Sequence, residues 1–156
     1  MIVFTVKGVP KAQPRAKAVR RGLFIRMYDP GSAHEWKKLV REAAEKAWQS
    51  HGKEVFWRPV SIVMSFAMPR PKGHYRACGD VKSNSPRFAS TKPDADNLAK
   101  AVMDALTTLG VWNDDAQVVM LSVEKLYAAT ESEVGMWCKI ENAPEIPFPK
   151  LIEKAQ

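Results

Sequence analysis

The sequence predicts an α/β (α+β) fold, in which two main helices pack on a small mixed β-sheet. Residues 60–68 alternate in the manner of a strand, and other short apolar runs do the same. Two longer segments, which begin near residues 34 and 94, carry apolar residues at helical spacing. The length of 156 residues is typical of one domain, so we expect a single domain over residues 1–156.

The strands of the first half are indicated by alternation and by breaker residues. Residues 2–7 are β-branched and aromatic, and they alternate up to a Gly-Val-Pro stop. The stretch at 20–22 suits the turn of a short hairpin, because glycine accepts a positive φ there. Residues 60–68 form the clearest strand in the chain, and a proline ends it.

The first helix is predicted from a start signal and an apolar stripe. Ser32 and Glu35 fit a capping box, in which each side chain satisfies a free backbone amide of the other residue. Gly52 is a plausible stop, and His34 is interpreted as a surface residue of the first turn. The predicted stripe consists of Trp36, Leu39, Val40, Ala43 and Ala47.

The second half predicts a helix followed by two strands. The helix covers residues 94–109, and Gly110 suits the position just after its end. Strands are expected over 118–127 and 134–140, and the proline-containing tail over 142–156 is expected to lie on the surface. The stripe of this helix consists of Leu98, Val102, Ala105, Leu106 and Leu109.

Basic residues are concentrated in two segments that we expect to contain surface loops, at about 10–28 and 69–93. The net charge is +7, yet residues 1–28 contain seven basic residues and no acidic one. Residues 69–93 contain six basic residues and one acidic one, so the rest of the chain is mildly acidic. Two basic segments on an acidic body indicate a polyanionic partner, and nucleic acid is the commonest such partner. Solvated loops remain the simpler alternative.

The remaining composition indicates a cytoplasmic protein. Cys78 and Cys138 lie far apart without a C-x-x-C spacing, so we expect two reduced thiols and neither a disulfide framework nor a zinc site. No apolar run approaches the length of a membrane span. The first residues lack the basic region and cleavage site of a signal peptide, so we expect none.

The candidate chemistry begins at the second helix, where Asp94 and Asp96 stand at the start and Lys100 follows one turn later. Pro93 makes the chain arrive extended, and a helix start tolerates negative charge. Each residue alone fits a simpler role, because an aspartate at this position is commonly an N-cap and Asp96–Lys100 a surface ion pair. Asp104 is interpreted as a surface or packing acid.

A second acidic pair, Asp114 and Asp115, lies between this helix and the next strand. If that strand packs beside the helix, either acid can meet Asp94 and Asp96; otherwise the pair is an ordinary turn. Two or three carboxylates with a phosphate oxygen suit Mg²⁺, which polarises a phosphodiester and activates a bound water. A metal–carboxylate site is therefore one interpretation of the spacing, beside the structural roles.

Taken together, these motifs resemble the signature of the RusA family of Holliday-junction resolvases. The resemblance is strong over 92–127, which reads K-P-D-A-D-N-L-A-K, then D-A-L, then V-W-N-D-D-A-Q-V-V and E-K. It is weaker over 2–28, where the G-V-P-K-x-x-P-R opening at residues 8–15 is similar to that of phage-type members. The combined pattern is far more specific than a lone D-x-D.

The resemblance implies a homodimeric α/β endonuclease that needs Mg²⁺, with Mn²⁺ as its substitute, and cuts four-way DNA junctions in recombination and repair. It implies that Asp94, Asp96 and Asp115 bind the metal, with Asp114 as second choice, and that Lys100 is catalytic with them. The basic loops would contact the DNA backbone. Their expected DNA-binding residues are Lys11, Arg15, Lys17, Arg70, Lys72 and Lys92.

Other functions fit parts of the pattern. Metal-dependent nucleotide-sugar transferases also use D-x-D, but we find no nucleotide-binding unit in this sequence. A non-catalytic DNA-binding module would use the acids as caps and the basic loops for binding. A general metal-dependent nuclease of linear duplex would need the same residues as a junction resolvase.

Overall fold

The computed structural model describes the backbone of residues 1–14, 17–21, 24–28 and 31–145, and the side chains of 1–14 and 31–145. These ranges contain two α-helices, α1 (His34–Ser50) and α2 (Ala95–Leu109). Neither helix is long and apolar enough to cross a bilayer. The strands are β1 (Ile2–Lys7), β2 (Lys17–Arg21), β3 (Phe24–Tyr28), β4 (Val60–Met68), β5 (Val118–Tyr127) and β6 (Gly135–Asn142).

Four strands form one mixed sheet in the order β1-β6-β4-β5. β4 and β5 are parallel, whereas β6 pairs antiparallel with both β1 and β4. The predicted mixed sheet with two helices is therefore confirmed. β2 and β3 pair antiparallel as the predicted hairpin, whose turn residues 22–23 lie outside the described ranges. Residues 146–156 of the predicted tail also lie outside them.

The core lies between the sheet and the two helices, which pack on each other. α1 contacts β1 and α2 contacts β5. The predicted stripe of α2 is buried at four of its five positions, and Leu109 is partly buried. In α1 the prediction holds for Trp36 and Val40, and Ala43 and Ala47 are partly buried against the core. Leu39 is 40% exposed, and Ala44 and Trp48 are buried although they were not predicted. A spacing of four residues along α1 accounts for the buried positions.

The predicted boundaries of the helices hold at three of the four ends. Gly110 adopts the left-handed conformation with φ 84°, and its amide bonds to the carbonyls of Leu106 and Thr107. The capping box at Ser32 is wrong, because α1 begins after Ala33 and no side chain caps it. A turn at Gly31, with φ 69°, precedes the helix. The N-cap position is therefore Ala33, one residue after the predicted Ser32.

The basic segment at 69–93 is fastened to the end of β5. The Arg70 guanidinium donates to the carbonyls of Ala128, Pro86 and Tyr127 at 3.1, 3.2 and 3.4 Å. Backbone bonds then join the segment to β5, from the Ala89 amide to the Lys125 carbonyl and from the Tyr127 amide to the Arg87 carbonyl. The segment predicted as a surface loop is thus held in place at several points before it enters α2.

Candidate active site

Asp94 and Asp96 stand exposed at the start of α2. Asp94 occupies the N-cap position with extended backbone, φ −71° and ψ 145°, yet its side chain makes no capping hydrogen bond. Asp96 accepts only a long 3.4 Å contact from the Asn97 side chain. Over the described part of the chain, the Asp94 carboxylate has no hydrogen bond or ion pair. The N-cap role considered from the sequence is therefore not the role of this side chain.

Lys100 is also exposed, one turn after Asp96. The ion pairs among the described side chains do not include one between Asp96 and Lys100. Asp104 behaves differently, since Lys37 of α1 donates to its carboxylate at 2.9 Å across the helix–helix contact. The interpretation of Asp104 as a packing acid is confirmed, and the Lys100 ammonium has no partner among the described side chains.

Lys125 of β5 holds the segment that leads into Asp94. Its ammonium donates to the Thr91 carbonyl at 2.8 Å and to the Pro93 carbonyl at 2.6 Å. The Tyr127 and Thr91 hydroxyls are 3.2 Å apart. Charged donors make stronger bonds than neutral ones, so Lys125 fixes the backbone next to the acids. Sequence reasoning assigned Lys125 no role, although it stands inside the matched motif.

The N-terminal segment forms the second wall of a groove at Asp94. The Gln13 amide donates to the Asn97 carbonyl at 2.9 Å and thereby docks this segment on the first turn of α2. Ala12, Gln13 and Lys92 line the groove together with Asp94 and Asn97. The Gln13 side-chain oxygen is buried there and has no hydrogen-bond partner among the residues that the structure describes. The sequence offers no reason to select Gln13, because its place beside Asp94 depends on how the N-terminal segment packs against the first turn of α2.

Asp114 and Asp115 lie in the turn that connects α2 to β5. The Asp114 carboxylate accepts from the Ala116 amide at 2.7 Å and starts a 3₁₀ turn, Asp115–Gln117. Gln117 completes the capping box and also donates to the Phe56 carbonyl at 2.9 Å. Asp115 is exposed, and its carboxylate has no partner within the part of the chain that the structure describes. The Asp114 carboxylate therefore has a structural role, whereas the Asp115 carboxylate has none among the described residues.

The two acidic groups lie at opposite ends of α2. The 15 residues of the helix span about 22 Å at the usual rise. β5 runs back along α2, so that Lys125, seven residues after Val118 and about 23 Å along the strand, contacts Pro93. Strand and helix do pack side by side, but Asp115 does not reach Asp94 and Asp96 within one chain. Among residues 1–14 and 31–145, no three Asp, Glu, His or Cys side chains form a metal-binding cluster.

The carboxylates at the start of α2 nevertheless fit a divalent cation. Asp94 and Asp96 offer hard oxygen ligands that are exposed and free of competing cations among the described residues. Mg²⁺ is commonly bound by one or two carboxylates, waters and a phosphate. The donor set of one chain thus suits a Mg²⁺ ion that is completed by further ligands.

The predicted DNA-binding residues differ in their availability. Lys11, Lys72 and Lys92 are exposed, and Lys92 borders the groove at Asp94. The guanidinium of Arg70 is committed to three backbone carbonyls. Arg15 and the Lys17 side chain lie outside the described ranges.

Comparison with known proteins identifies the family. The family described as "Endodeoxyribonuclease RusA" matches residues 7–136, which include both acidic motifs and the basic segments. A Bacillus subtilis (strain 168) protein named "Uncharacterized protein YqaN" is 34% identical over 129 residues, which cover 81% of this chain and 88% of that protein. The resemblance noted from the motifs is confirmed, and the chain belongs to the RusA endodeoxyribonuclease family.

Proposed function

We propose that this protein is a Mg²⁺-dependent endodeoxyribonuclease that acts as a homodimer and resolves four-way DNA junctions in recombination and repair. Family membership supports endonuclease action on DNA junctions. The observation that supports Mg²⁺ dependence is the exposed acid pair at the start of α2. Neither Asp94 nor Asp96 caps the helix or forms an ion pair within the described residues, so both are available to a metal.

In this proposal Asp94 and Asp96 hold the cation, for which Mn²⁺ can substitute. A divalent ion held by these two carboxylates would supply polarisation of the scissile phosphodiester and activation of a water molecule. Lys100 adds positive charge where the phosphate gains negative charge during cleavage. Lys125 acts as a positioning residue, because its bonds to the Thr91 and Pro93 carbonyls fix the approach to Asp94.

Asp115 enters the same site from the second subunit. Its distance from Asp94 along α2 excludes it as an intrachain ligand in this conformation, yet its carboxylate is exposed and without partner in the described part. A two-fold dimer brings equivalent surfaces of two copies together and generates two such sites. Two sites related by a two-fold axis suit a substrate that needs two symmetric cuts.

The basic segments supply the contacts with the DNA backbone. We assign this role to the exposed Lys11, Lys72 and Lys92, and to Arg15 and Lys17 on the expectation from the sequence. Arg70 is assigned a structural role that holds the segment. Binding that depends on phosphate contacts weakens steeply with salt.

The test compares cleavage of a labelled four-way junction with cleavage of linear duplex of the same sequence, in Mg²⁺ and in EDTA. We expect paired nicks in the junction only, lost in EDTA and reduced about 100-fold or more by Asp96→Asn. Glu42→Gln, which changes an exposed acid on α1, serves as the matched control. Full activity of Asp96→Asn would refute the metal site.

The same experiment separates the alternative functions. Equal cutting of both substrates would identify a general nuclease. Binding of the junction that is indifferent to Mg²⁺, without cleavage of either substrate by wild type, would identify a DNA-binding module.

A further inference from the structure

Phe88 is a large apolar side chain that stands in solvent within the basic segment 69–93. It is 60% exposed, whereas the next residue, Ala89, is only 3% exposed. Phe88 pairs with Leu126 in an isolated antiparallel bridge at the C-terminal end of β5. Neighbouring side chains of an extended chain point to opposite sides, so the burial of Ala89 turns Phe88 outward. The pairing with β5 therefore determines the exposure of Phe88.

The backbone around Phe88 is held on both sides. The Ala89 amide donates to the Lys125 carbonyl at 3.0 Å, and the Tyr127 amide donates to the Arg87 carbonyl at 2.9 Å. Neither bond involves the Phe88 side chain, so both persist when that side chain is changed. An aromatic ring on a fixed backbone loses little conformational entropy when a ligand binds. Phe88 is thus preorganised for a flat apolar ligand.

The surface around Phe88 is basic. The Arg87 guanidinium lies 5.9 Å from the centre of the Phe88 ring. Residues 69–93 contain six basic residues and a single acid, Asp80. An exposed aromatic ring beside cations is the combination with which proteins bind unpaired bases and their phosphates. The exposed basic side chains of this segment, which form no ion pair among the described residues, are Lys72, Arg76, Lys82, Arg87 and Lys92.

Phe88 also lies near the acids at the start of α2. It precedes Asp94 by six residues, and an extended chain of that length spans at most about 21 Å. Successive nucleotides of one strand rise about 3.4 Å each, so a base on Phe88 lies within about six nucleotides of a phosphate at Asp94. Lys125 joins the two places, since its carbonyl accepts from Ala89 and its ammonium donates to the Pro93 carbonyl. Phe88 is therefore placed to contact DNA that occupies the proposed metal site.

We propose that Phe88 stacks on a nucleobase at the branch point of the bound junction, while Arg87 contacts an adjacent phosphate. In a linear duplex each base stacks on two neighbours, so a side chain must separate a base step before it can stack. The branch point interrupts base stacking, and a base there becomes accessible at lower cost. Phe88 therefore favours a branched substrate over a linear duplex. This inference rests on the proposed function in one respect, which is the four-way junction as substrate.

Trp57 provides a comparison within the same chain. It is 73% exposed, more than Phe88, but it lies outside the basic segments. Glu54 lines the same pocket as Trp57, and the guanidinium of Arg58 lies 3.9 Å from a Glu145 carboxylate oxygen. A surface on which acids offset the cations attracts a polyanion weakly. Trp57 therefore serves as a control for an exposed aromatic side chain without a basic surrounding.

The first test measures the affinity of the full-length protein for a labelled four-way junction and for linear duplex, in EDTA, so that Mg²⁺-dependent cleavage does not occur. We expect Phe88→Ala to weaken junction binding about 10-fold through the loss of one base–aromatic stack, and to change duplex binding less than about 2-fold. Phe88→Trp keeps a stacking surface and should retain the junction affinity, and Trp57→Ala should change neither affinity. Unchanged junction affinity of Phe88→Ala, or an equal loss for both substrates, would overturn the proposal.

A fluorescent base analogue tests the stack directly. 2-Aminopurine beside the branch point is quenched by its stacked DNA neighbours and fluoresces more strongly when it leaves them. We expect saturating wild type to raise this fluorescence and saturating Phe88→Ala to leave it near the value of the free junction. Arg87→Ala should weaken binding to junction and duplex alike but keep the rise at saturation, because it removes a phosphate contact. An equal rise with wild type and Phe88→Ala would exclude the stack.

The mass of the protein in solution distinguishes DNA from a second copy as the occupant of this surface. Light scattering should give the same mass for wild type and Phe88→Ala. A lower mass of the variant would place Phe88 in a contact between subunits and would contradict the proposal.

None of these measurements uses cleavage, so the inference and the proposed function can fail separately. Junction binding that depends on Phe88, in a protein that cuts no DNA, would support the stack and refute the nuclease. Junction cleavage by wild type, together with an unchanged junction affinity of Phe88→Ala, would support the nuclease and refute the stack.

Discussion

The two ends of α2 carry acidic pairs that differ in what their side chains do. At the N-terminal end, Asp94 and Asp96 make no capping bond, and the helix start leaves them exposed. At the C-terminal end, the Asp114 carboxylate accepts a hydrogen bond from the Ala116 amide at 2.7 Å and organises the turn into β5, while the Asp115 carboxylate beside it has no partner in the described part of the chain. The bond from the Ala116 amide accounts for the position of the Asp114 carboxylate, whereas Asp94, Asp96 and Asp115 remain exposed and available to a ligand. The comparison separates three candidate ligands from one cap.

The largest expected effect comes from placing a substitution at one end of α2 in one subunit and a substitution at the other end in its partner. We expect Asp96→Asn and Asp115→Asn to be inactive as pure proteins. After mixing and subunit exchange, one site of each heterodimer regains all its acids, so junction nicking should return to about a quarter of the wild-type rate.

The control for this experiment mixes two variants of the same end, Asp94→Asn and Asp96→Asn, which cannot restore a complete site. If the mixture of Asp96→Asn with Asp115→Asn stays as inactive as its components although subunits exchange, both ends serve sites within one chain, and the shared site is excluded.

A smaller effect is expected from replacing Lys125, which holds the backbone just before the N-terminal end of α2. Lys125→Met removes the charged donor to the Thr91 and Pro93 carbonyls, so the acids keep their chemistry but lose a fixed position. We expect cleavage to fall about 10-fold to 100-fold, as displacements of about 1 Å can do, with junction affinity nearly unchanged. Single-turnover rates and binding isotherms measure the two quantities.

Lys139→Met is the matched control for Lys125→Met. Lys139 pairs with Glu141 on the surface of β6, at 2.8 Å, and should affect neither quantity. An equal loss in junction affinity and cleavage rate for Lys125→Met would show a direct contact with DNA in place of a positioning role.

The smallest expected effect is on the free energy of unfolding, through the acids that follow the C-terminal end of α2. Asp114→Ala removes the cap and should lower the free energy of unfolding by about 1 kcal/mol, whereas Asp115→Ala should leave it nearly unchanged. Urea denaturation of the metal-free proteins measures the difference. Equal destabilisation by the two variants would mean that Asp115 also has a structural task.

Periodicity in the sequence was sufficient to predict the two helices and the four strands of the mixed sheet, because local alternation and helical spacing reflect burial directly. β4 was predicted with its observed bounds, and Gly110 with its role. The start of α1 was missed, since the turn at Gly31 depends on backbone angles that residue types alone leave open. The α1 stripe was partly wrong because Leu39 projects beyond the core.

The acidic motif could be recognised in the sequence and its role as a metal site stays a prediction, but the spatial relation of its two parts could not be predicted. The sequence places Asp94 and Asp115 only 21 residues apart, yet the direction in which β5 returns along α2 separates them. That direction follows from the parallel pairing of β4 and β5, a contact between distant segments. The roles of Lys125 and Gln13 depend on such contacts as well.

The fastening of residues 69–93 has a consequence for the rate at which DNA is captured. Arg70 holds the beginning of this basic segment to backbone carbonyls near the end of β5, and Lys125 holds its end. Folding has therefore already removed much of the conformational entropy that a free loop would lose when it orders on a phosphate backbone. Encounter with a junction then needs little rearrangement of this segment, and electrostatic attraction rather than loop closure should set the association rate.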